Sequence, residues 1–219
     1  MKEPARIRFV VIGDLEGSRR HTKRAQLQQR LTGALSNVNA AVAAVQSLQV
    51  TLGDEFQGVY DTLVSACDAA LQVRLELLDA IQVRIGIGHG EISVRPGDAA
   101  MFGQDGPAWW AARDSLDRLK KLRGRRQWPA GWRTAITSSD GRADALVNAL
   151  LICRDQVLAG FDARDAQVLL GLVRGQSQAT IARRIKITQS AVAQRQKSNG
   201  SYAVLRAHEQ LREAAPWHS

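Results

Sequence analysis

Acidic residues stand at the ends of two predicted strands, where metal and phosphate chemistry is possible. Asp14 follows the almost wholly apolar segment 7–12, which is typical of a buried strand. Asp54 lies at the tip of a predicted hairpin formed by strands 48–53 and 56–60. Two carboxylates that meet repel each other unless a cation lies between them, and their oxygens suit Mg²⁺ or Mn²⁺. The pattern predicts a metal site, with ordinary cap and turn residues as the alternative.

The loop after Asp14 has the small residues that phosphate binding favours. Residues 15–18, Leu-Glu-Gly-Ser, lead into a predicted helix, so their backbone N–H groups can face phosphate oxygens. Arg19, Arg20 and Lys23 add positive charge beside this loop. The carboxylates and the loop together predict a site for a metal and a phosphorylated ligand.

Strand and helix patterns alternate over the first ninety residues and position these side chains. Apolar residues at steps of three and four predict helices over 23–45 and 63–81, and a further strand covers 83–88. The resulting order is that of a ferredoxin-like α+β fold, in which an antiparallel sheet has helices on one face. In such a sheet the first strand and the central hairpin end side by side, which brings Asp14 and Asp54 together.

The rest of the chain predicts two domains. A helix over 107–122 and a last strand over 132–137 complete the first domain, residues 1–138. The Ser-Ser-Asp-Gly segment that begins at Ser138 marks the boundary. The second domain, residues 139–219, is predicted to be wholly helical.

Within the second domain the residues follow a helix-turn-helix pattern. Small Ala182 allows two helices to approach closely, Ile187 fills the turn, and Thr188 is a good N-cap for the second helix. Side chains of this unit can reach DNA bases or phosphates. These predicted contact residues are Ser177, Arg183, Lys186, Gln189, Ser190, Gln194 and Arg195. A helical hairpin used for protein contact or dimerisation is the alternative.

Composition favours a polyanionic partner. The 219 residues carry a formal net charge of +9, and residues 151–219 alone account for +5 of it. No apolar run is long enough to cross a membrane, so we predict a cytoplasmic protein. Cys67 and Cys153 lie far apart in the chain and are predicted to be reduced core residues.

Four blocks of sequence are similar to the SatD family. They are 13–19 (GDLEGSR), 51–58 (TLGDEFQG), 84–88 (RIGIG) and 106–113 (GPAWWAAR), and the resemblance spans nearly the whole chain. The same blocks resemble, more distantly, the nucleotidyl cyclase and GGDEF palm superfamily. In that superfamily an Asp after the first strand and an acidic residue in the central hairpin hold two divalent ions.

The resemblance implies a set of functional residues. Asp14 and Asp54 are the implied ligands of Mg²⁺ or Mn²⁺, with Glu55 as a third. Arg113 fits the transition-state arginine of the cyclases. The implied nucleotide- or phosphate-binding residues are Leu15, Glu16, Gly17, Ser18, Arg19 and Gly53.

Three positions depart from the cyclase and GGDEF pattern and favour binding over turnover. Trp109 replaces an asparagine, Val50 a base-selecting lysine, and Leu52 the first glycine of the GGDEF signature. Losing one positioned donor costs about a hundredfold in rate. We therefore predict a homodimeric DNA-binding transcriptional regulator whose palm-like domain binds a divalent metal and a phosphorylated nucleotide. The alternative is an active nucleotidyl cyclase or nucleotidyltransferase that makes a signalling nucleotide, with Arg113 in catalysis.

Overall fold

The computed structural model describes residues 6–18, 22–94, 104–138, 141 and 144–213. In chain order the elements are β1 (Arg6–Leu15), α1 (Arg24–Ala41), β2 (Gln46–Val50), β3 (Glu55–Tyr60), α2 (Leu63–Leu77), β4 (Val83–Val94), β5 (Gln104–Asp105), α3 (Pro107–Leu122), β6 (Thr134–Ser138), α4 (Asp144–Leu158), α5 (Ala163–Val173), α6 (Gln178–Ile185), α7 (Gln189–Ser198) and α8 (Ser201–Glu213).

The sheet confirms the predicted α+β fold. Its strands follow the order β2-β3-β1-β4 with antiparallel neighbours, which is the ferredoxin-like order. Two further strands extend it, because β6 pairs with β4 in parallel and the short β5 pairs with the far end of β4. Asp14 is thereby placed at the end of the central strand β1.

Helices cover both faces of the sheet, which corrects the prediction of helices on one face. Phe9 and Val11 of β1 pack in the core cluster that includes residues of α1 and α2. The alternate residues Val10 and Ile12 pack with α3 through Ala108 and other small or apolar residues. Both faces of β1 are therefore buried, which explains why segment 7–12 reads as almost continuously apolar.

The Arg-Ile-Gly-Ile-Gly segment of β4 allows α3 to lie very close to the sheet. A Cβ atom on Gly86 would overlap the carbonyl oxygen of Ala112, and one on Gly88 would overlap that of Ala108. Side chains alternate along a strand, so these glycines share the face that α3 covers. The backbone of α3 thus packs directly on β4.

The helices after β6 are joined to the sheet by buried polar contacts. The side-chain amide of Asn148 on α4 donates to the carbonyl of Ile136 and accepts from its N–H, at 2.8 and 3.0 Å. The fully buried carboxylate of Asp155 accepts from the backbone N–H of Thr134 at 2.6 Å and pairs with Arg74 and Arg154. Burial lowers the pKa of Arg74 to about 10, although the charge of Asp155 opposes this shift.

Helix α2 contributes to the packing of both predicted domains. Leu71 and Leu75 share a core cluster with residues of α5 and α8. Asp68, also on α2, accepts hydrogen bonds from His208 and Arg212 of α8, and these contacts lower its pKa against the raising effect of burial. The boundary after residue 138 stays a prediction, and residues 139, 140, 142 and 143 lie outside the described part of the chain.

The two cysteines differ in environment. Cys67 on α2 is buried as predicted, and burial raises the pKa of its thiol to about 12. Cys153 is exposed on α4, so its assignment to the core is wrong, because it falls on the side of that helix that faces solvent.

Among the described helices, none combines the length and the apolar character that a bilayer crossing requires.

We expect Gly88→Ala to lower the free energy of unfolding by about 3 kcal/mol, because the new methyl group would have to displace the backbone of α3. Urea denaturation followed by circular dichroism measures the change. Gly33→Ala is the matched control, since Gly33 is a helical glycine with open space around its Cβ position and should gain about 0.5–1 kcal/mol. Equal effects of the two substitutions would contradict the close packing of α3.

Candidate functional site

The end of β1 brings acidic and basic residues together from several elements. In the strand register, Asp14 lies opposite Glu55 of β3 on one side and Arg84 of β4 on the other. The adjacent hairpin turn carries Asp54, so the prediction that these strand ends are neighbours is confirmed. We call this region the sheet end.

The Asp14 carboxylate is held by two cations. The Arg84 guanidinium donates to both of its oxygens through Nε and Nη2, at 2.9 and 3.1 Å. The Lys120 ammonium, from the last turns of α3, lies 3.2 Å from the same carboxylate. Asp14 is therefore neutralised by protein side chains in this structure.

Glu55 forms a second ion pair with α3. The two terminal nitrogens of Arg113 donate to its two carboxylate oxygens at 2.6 and 2.7 Å, which is the bidentate geometry of a strong pair. This hydrogen bonding raises the pKa of Arg113, and partial burial opposes the shift. Arg113 and Lys120 are seven residues apart, two turns of helix, so α3 presents both cations to the sheet end.

The loop after β1, which was predicted to bind phosphate through its backbone N–H groups, makes several contacts within the protein. The Glu16 carboxylate pairs with Arg123 and with Arg133, the latter at 3.0 Å, and the Glu16 N–H donates to the Gln82 carbonyl. The Ser18 hydroxyl donates to the Asp54 carboxylate. At least one backbone donor of the loop is thus already used within the protein.

The remaining predicted nucleotide-contact residues have separate environments. Leu15 is buried in the core, whereas Gly17 and Gly53 adopt positive φ values of 76° and 63° in their turns with open space around them. Arg19 lies outside the described residues. The two glycines can therefore approach a ligand, and Leu15 contributes packing.

The side chains at the sheet end do not fit a divalent ion as they are arranged. Asp14 and Glu55 are paired with guanidinium or ammonium groups, and Asp54 accepts from Ser18. Among the residues that the structure describes, no group of three His, Cys, Asp or Glu side chains is placed to hold a metal. The predicted Mg²⁺ or Mn²⁺ site therefore has no preformed ligand set here.

Sequence reasoning missed four of the cations at this site. Arg84 belongs to the block 84–88 that resembles the SatD family, and Arg133 lies within the predicted last strand, 132–137. Lys120 and Arg123 belong to the basic run 118–126, which also suits a solvated helix end. The seven-residue spacing of Arg113 and Lys120 is the one local signal for a shared helix face.

A cavity of about 250 Å³ opens beside the Glu16–Arg133 pair. Its wall includes Trp128 and Trp132, whose rings stack with centroids 4.9 Å apart, and Leu122. The tryptophans singled out in the family block lie elsewhere: Trp109 and Trp110 are on α3, the first partly buried against the sheet and the second exposed. Arg133, which pairs with Glu16, lines the same cavity as Trp128 and Trp132, and the Arg118 guanidinium lies over both rings.

The second candidate site is the pair of helices α6 and α7, joined by residues 186–188. Ser177 caps α6 and Thr188 caps α7, each by accepting a backbone N–H through its hydroxyl. Lys186 adopts the left-handed conformation with φ +55° at the turn. Ile181 and Val192 are buried where the two helices pack against α5.

The polar residues predicted to contact DNA are exposed on this pair, except one. The exposed residues are Ser177, Arg183, Lys186, Gln189, Ser190 and Gln194. Arg195 instead pairs with Asp162 and Asp165 at the start of α5, at 2.9 and 2.6 Å, and these contacts raise its pKa. Arg195 therefore ties α7 to α5.

Comparison with known proteins assigns the family. Residues 8–214 match the SatD family, and the chain belongs to it. No curated protein shows significant similarity to the chain.

Solved structures with partial likeness are nucleotide cyclases and GGDEF domains. The guanylyl cyclase Cya2 is 14% identical over 54% of this chain and 73% of its own, with a TM-score of 0.43. A bacterial light-regulated adenylyl cyclase is 15% identical over 64% and 78%, with a TM-score of 0.46. The GGDEF domain of DgcB from Caulobacter crescentus, in complex with c-di-GMP, is 16% identical over 61% and 78%, with a TM-score of 0.40.

We expect Asp14→Asn to lower the free energy of unfolding by about 1–3 kcal/mol, because it leaves Arg84 and Lys120 partly buried without their carboxylate. Chemical denaturation measures the change. Asp61→Asn is the control, since Asp61 is exposed in its pair with Arg8 and should change stability by less than about 0.5 kcal/mol. A stabilising effect of Asp14→Asn would show that mutual carboxylate repulsion dominates at the sheet end.

Proposed function

We propose that this protein is a DNA-binding transcriptional regulator in which α6 and α7 form a helix-turn-helix and α7 enters the major groove. The observation that carries the proposal is the charge of residues 166–208, which include no Asp or Glu. Three of its seven basic residues pair with carboxylates outside the segment: Arg174, Arg195 and Arg206. The ion pairs among the described residues do not include the other four, which are Arg183, Arg184, Lys186 and Lys197. An acid-free helical segment suits the phosphate backbone of DNA.

The exposed side chains of α7 are of types that read DNA. Gln189, Ser190 and Gln194 are exposed polar residues with hydrogen-bonding groups that suit base edges or phosphates. Arg183 and Lys197 are exposed cations of the same helix pair and are assigned to phosphate contacts. As a helix-turn-helix protein it would act as a homodimer that reads paired half-sites.

The sheet end is the proposed site of a phosphorylated nucleotide. Arg113 and Lys120 stand over the strand ends, and the aromatic cavity at Trp128 adjoins the Glu16–Arg133 pair. Cations beside an aromatic surface favour a ligand with phosphates and a base. Phosphate oxygens would compete with Asp14 and Glu55 for these cations. A bound ligand would therefore act by replacing these ion pairs.

The second candidate is an active nucleotidyl cyclase or nucleotidyltransferase. The placement of Asp14 opposite Glu55, with Asp54 in the adjacent turn, favours it. Turnover through metals needs these carboxylates freed from their cations, so we rank this function below binding. The cytoplasmic location stays a prediction.

DNA binding is tested by fluorescence anisotropy with duplex DNA over a series of salt concentrations. We expect affinity to fall steeply with salt, and Arg183→Gln and Lys197→Gln each to reduce the slope of log K against log salt by about 1. Arg206→Gln is the matched control, because Arg206 lies in the same acid-free segment but pairs with Glu209 on α8. Equal slopes for all four proteins would refute the assignment of α6 and α7 to DNA.

Base reading is separated from phosphate contact by Gln189→Ala. We expect this variant to bind random duplexes like the wild type but to lose about 1–3 kcal/mol of preference for a duplex selected from a random library.

Chromatography of nucleoside triphosphates incubated with Mg²⁺ or Mn²⁺ tests the second candidate. Product that disappears in Asp14→Ala, with no effect of Gln189→Ala, would make the protein an enzyme.

A further inference from the structure

A groove of about 390 Å³ separates α1 and α2 from α5 and α6. Its volume is in the range of small-molecule sites, and clefts between structural units are where such sites occur most often. The groove is lined mainly by polar side chains, among them Arg30, Glu76, Asp79, Arg174 and Arg184. It lies away from the carboxylates of the sheet end and is not part of the site described above.

Two of the three arginines in the groove are neutralised by carboxylates. Arg30 pairs with Asp79 at 2.5 Å, which joins α1 to the end of α2. Arg174 pairs with Glu76 at 2.9 Å and also donates to Gln72 at 2.8 Å. These pairs leave one arginine of the groove without a matching negative charge.

Arg184 is that arginine. Its Nη2 donates to the backbone carbonyl of Gln167 at 2.7 Å, and the ion pairs among the described residues do not include it. Partial burial lowers its pKa below the usual value, the nearby charge of Arg174 lowers it further, and Glu76 opposes the shift. The guanidinium also lies 3.0 Å from the position that a Cβ of Gly171 would take, so the glycine leaves room for it.

The two consecutive arginines of α6 have different surroundings. Both side chains are exposed, but only Arg184 lines the groove and reaches back to α5. Adjacent residues on a helix point about 100° apart, which accounts for the difference. Arg183 is thus open to an external partner only, whereas Arg184 can also contact an occupant of the groove.

We propose that this groove binds a small phosphorylated anion, such as a pyrophosphate or the phosphate chain of a nucleotide, with Arg184 as its principal contact and Arg174 beside it. Guanidinium groups recognise phosphate through paired N–H donors, and a site that already holds a surplus cation gains charge complementarity on binding. Arg30 lines the same groove but is already paired with Asp79, so the surplus charge of the groove comes from Arg184.

Occupation of the groove has a consequence for DNA, and this consequence rests on the proposed function. An anion at Arg184 removes positive charge from α6, the helix that also carries Arg183. We therefore expect a bound phosphate compound to weaken DNA binding, since the electrostatic attraction to the DNA backbone falls.

The probe is sodium pyrophosphate in EDTA, with ionic strength held constant by sodium chloride. Isothermal titration and thermal unfolding should both detect binding to the wild type. Arg184→Gln should weaken it about tenfold or more, because a charge-assisted contact is lost. Arg183→Gln is the matched control and should bind pyrophosphate like the wild type while losing DNA affinity. Arg184→Lys should restore part of the affinity.

Several outcomes would overturn the proposal. They are no binding by the wild type, equal binding by Arg184→Gln, and a loss confined to Arg113→Gln, which would place pyrophosphate at the sheet end. Arg184→Gln leaves no carboxylate unpaired, so its unliganded melting temperature should match that of the wild type. DNA affinity is measured separately for each variant, so failure of the groove proposal is distinguishable from failure of the proposed function.

Discussion

The direct packing of α3 on β4 is the constraint on which the sheet end depends. Gly86 and Gly88 have no side chains, so the helix backbone lies against the strand and its register along the sheet is fixed. That register sets Arg113 over Glu55 and Lys120 over Asp14. A larger residue on this face of β4 would move both cations away from the carboxylates. The contacts of Arg113 and Lys120 with the sheet end therefore depend on these two glycines, whereas Arg84 reaches Asp14 from β4 itself.

The C-terminal helices are part of the same packed body as the sheet. Asn148 bonds to the edge of β6 through both ends of its amide, and Asp155 neutralises Arg74 of α2 in the interior. Removing one partner of such a buried pair leaves an unpaired charge in an interior of low polarity, which lowers the free energy of unfolding by about 3–5 kcal/mol. Helix α2 contacts α1, the sheet, α5 and α8, so this one helix joins the sheet to the C-terminal helices.

Some arginines of the protein pair with its own carboxylates, and others do not. The first group stabilises the packing, and the second group is open to binding partners. Arg195 looks like a DNA contact in the sequence but ties α7 to two aspartates of α5. Arg84 looks like an ordinary strand residue but holds Asp14. Arg183 has an exposed side chain and Arg184 lines the groove. A positive charge is informative about partners only after its intramolecular carboxylates have been counted.

The sequence by itself determined the elements and their order. The apolar segment at 7–12, the helical steps of leucine and the caps at Ser177 and Thr188 are local patterns, and local backbone preference and side-chain period are enough to interpret them. It also placed Asp14 beside the central hairpin, because the ferredoxin-like order fixes which strands are neighbours. Only the tertiary structure decided which charges meet. Arg84 is 70 residues from Asp14 and Arg113 is 58 from Glu55. Long flexible side chains pair according to distances between packed elements, and these distances depend on contacts, such as α3 on β4, that no local pattern contains.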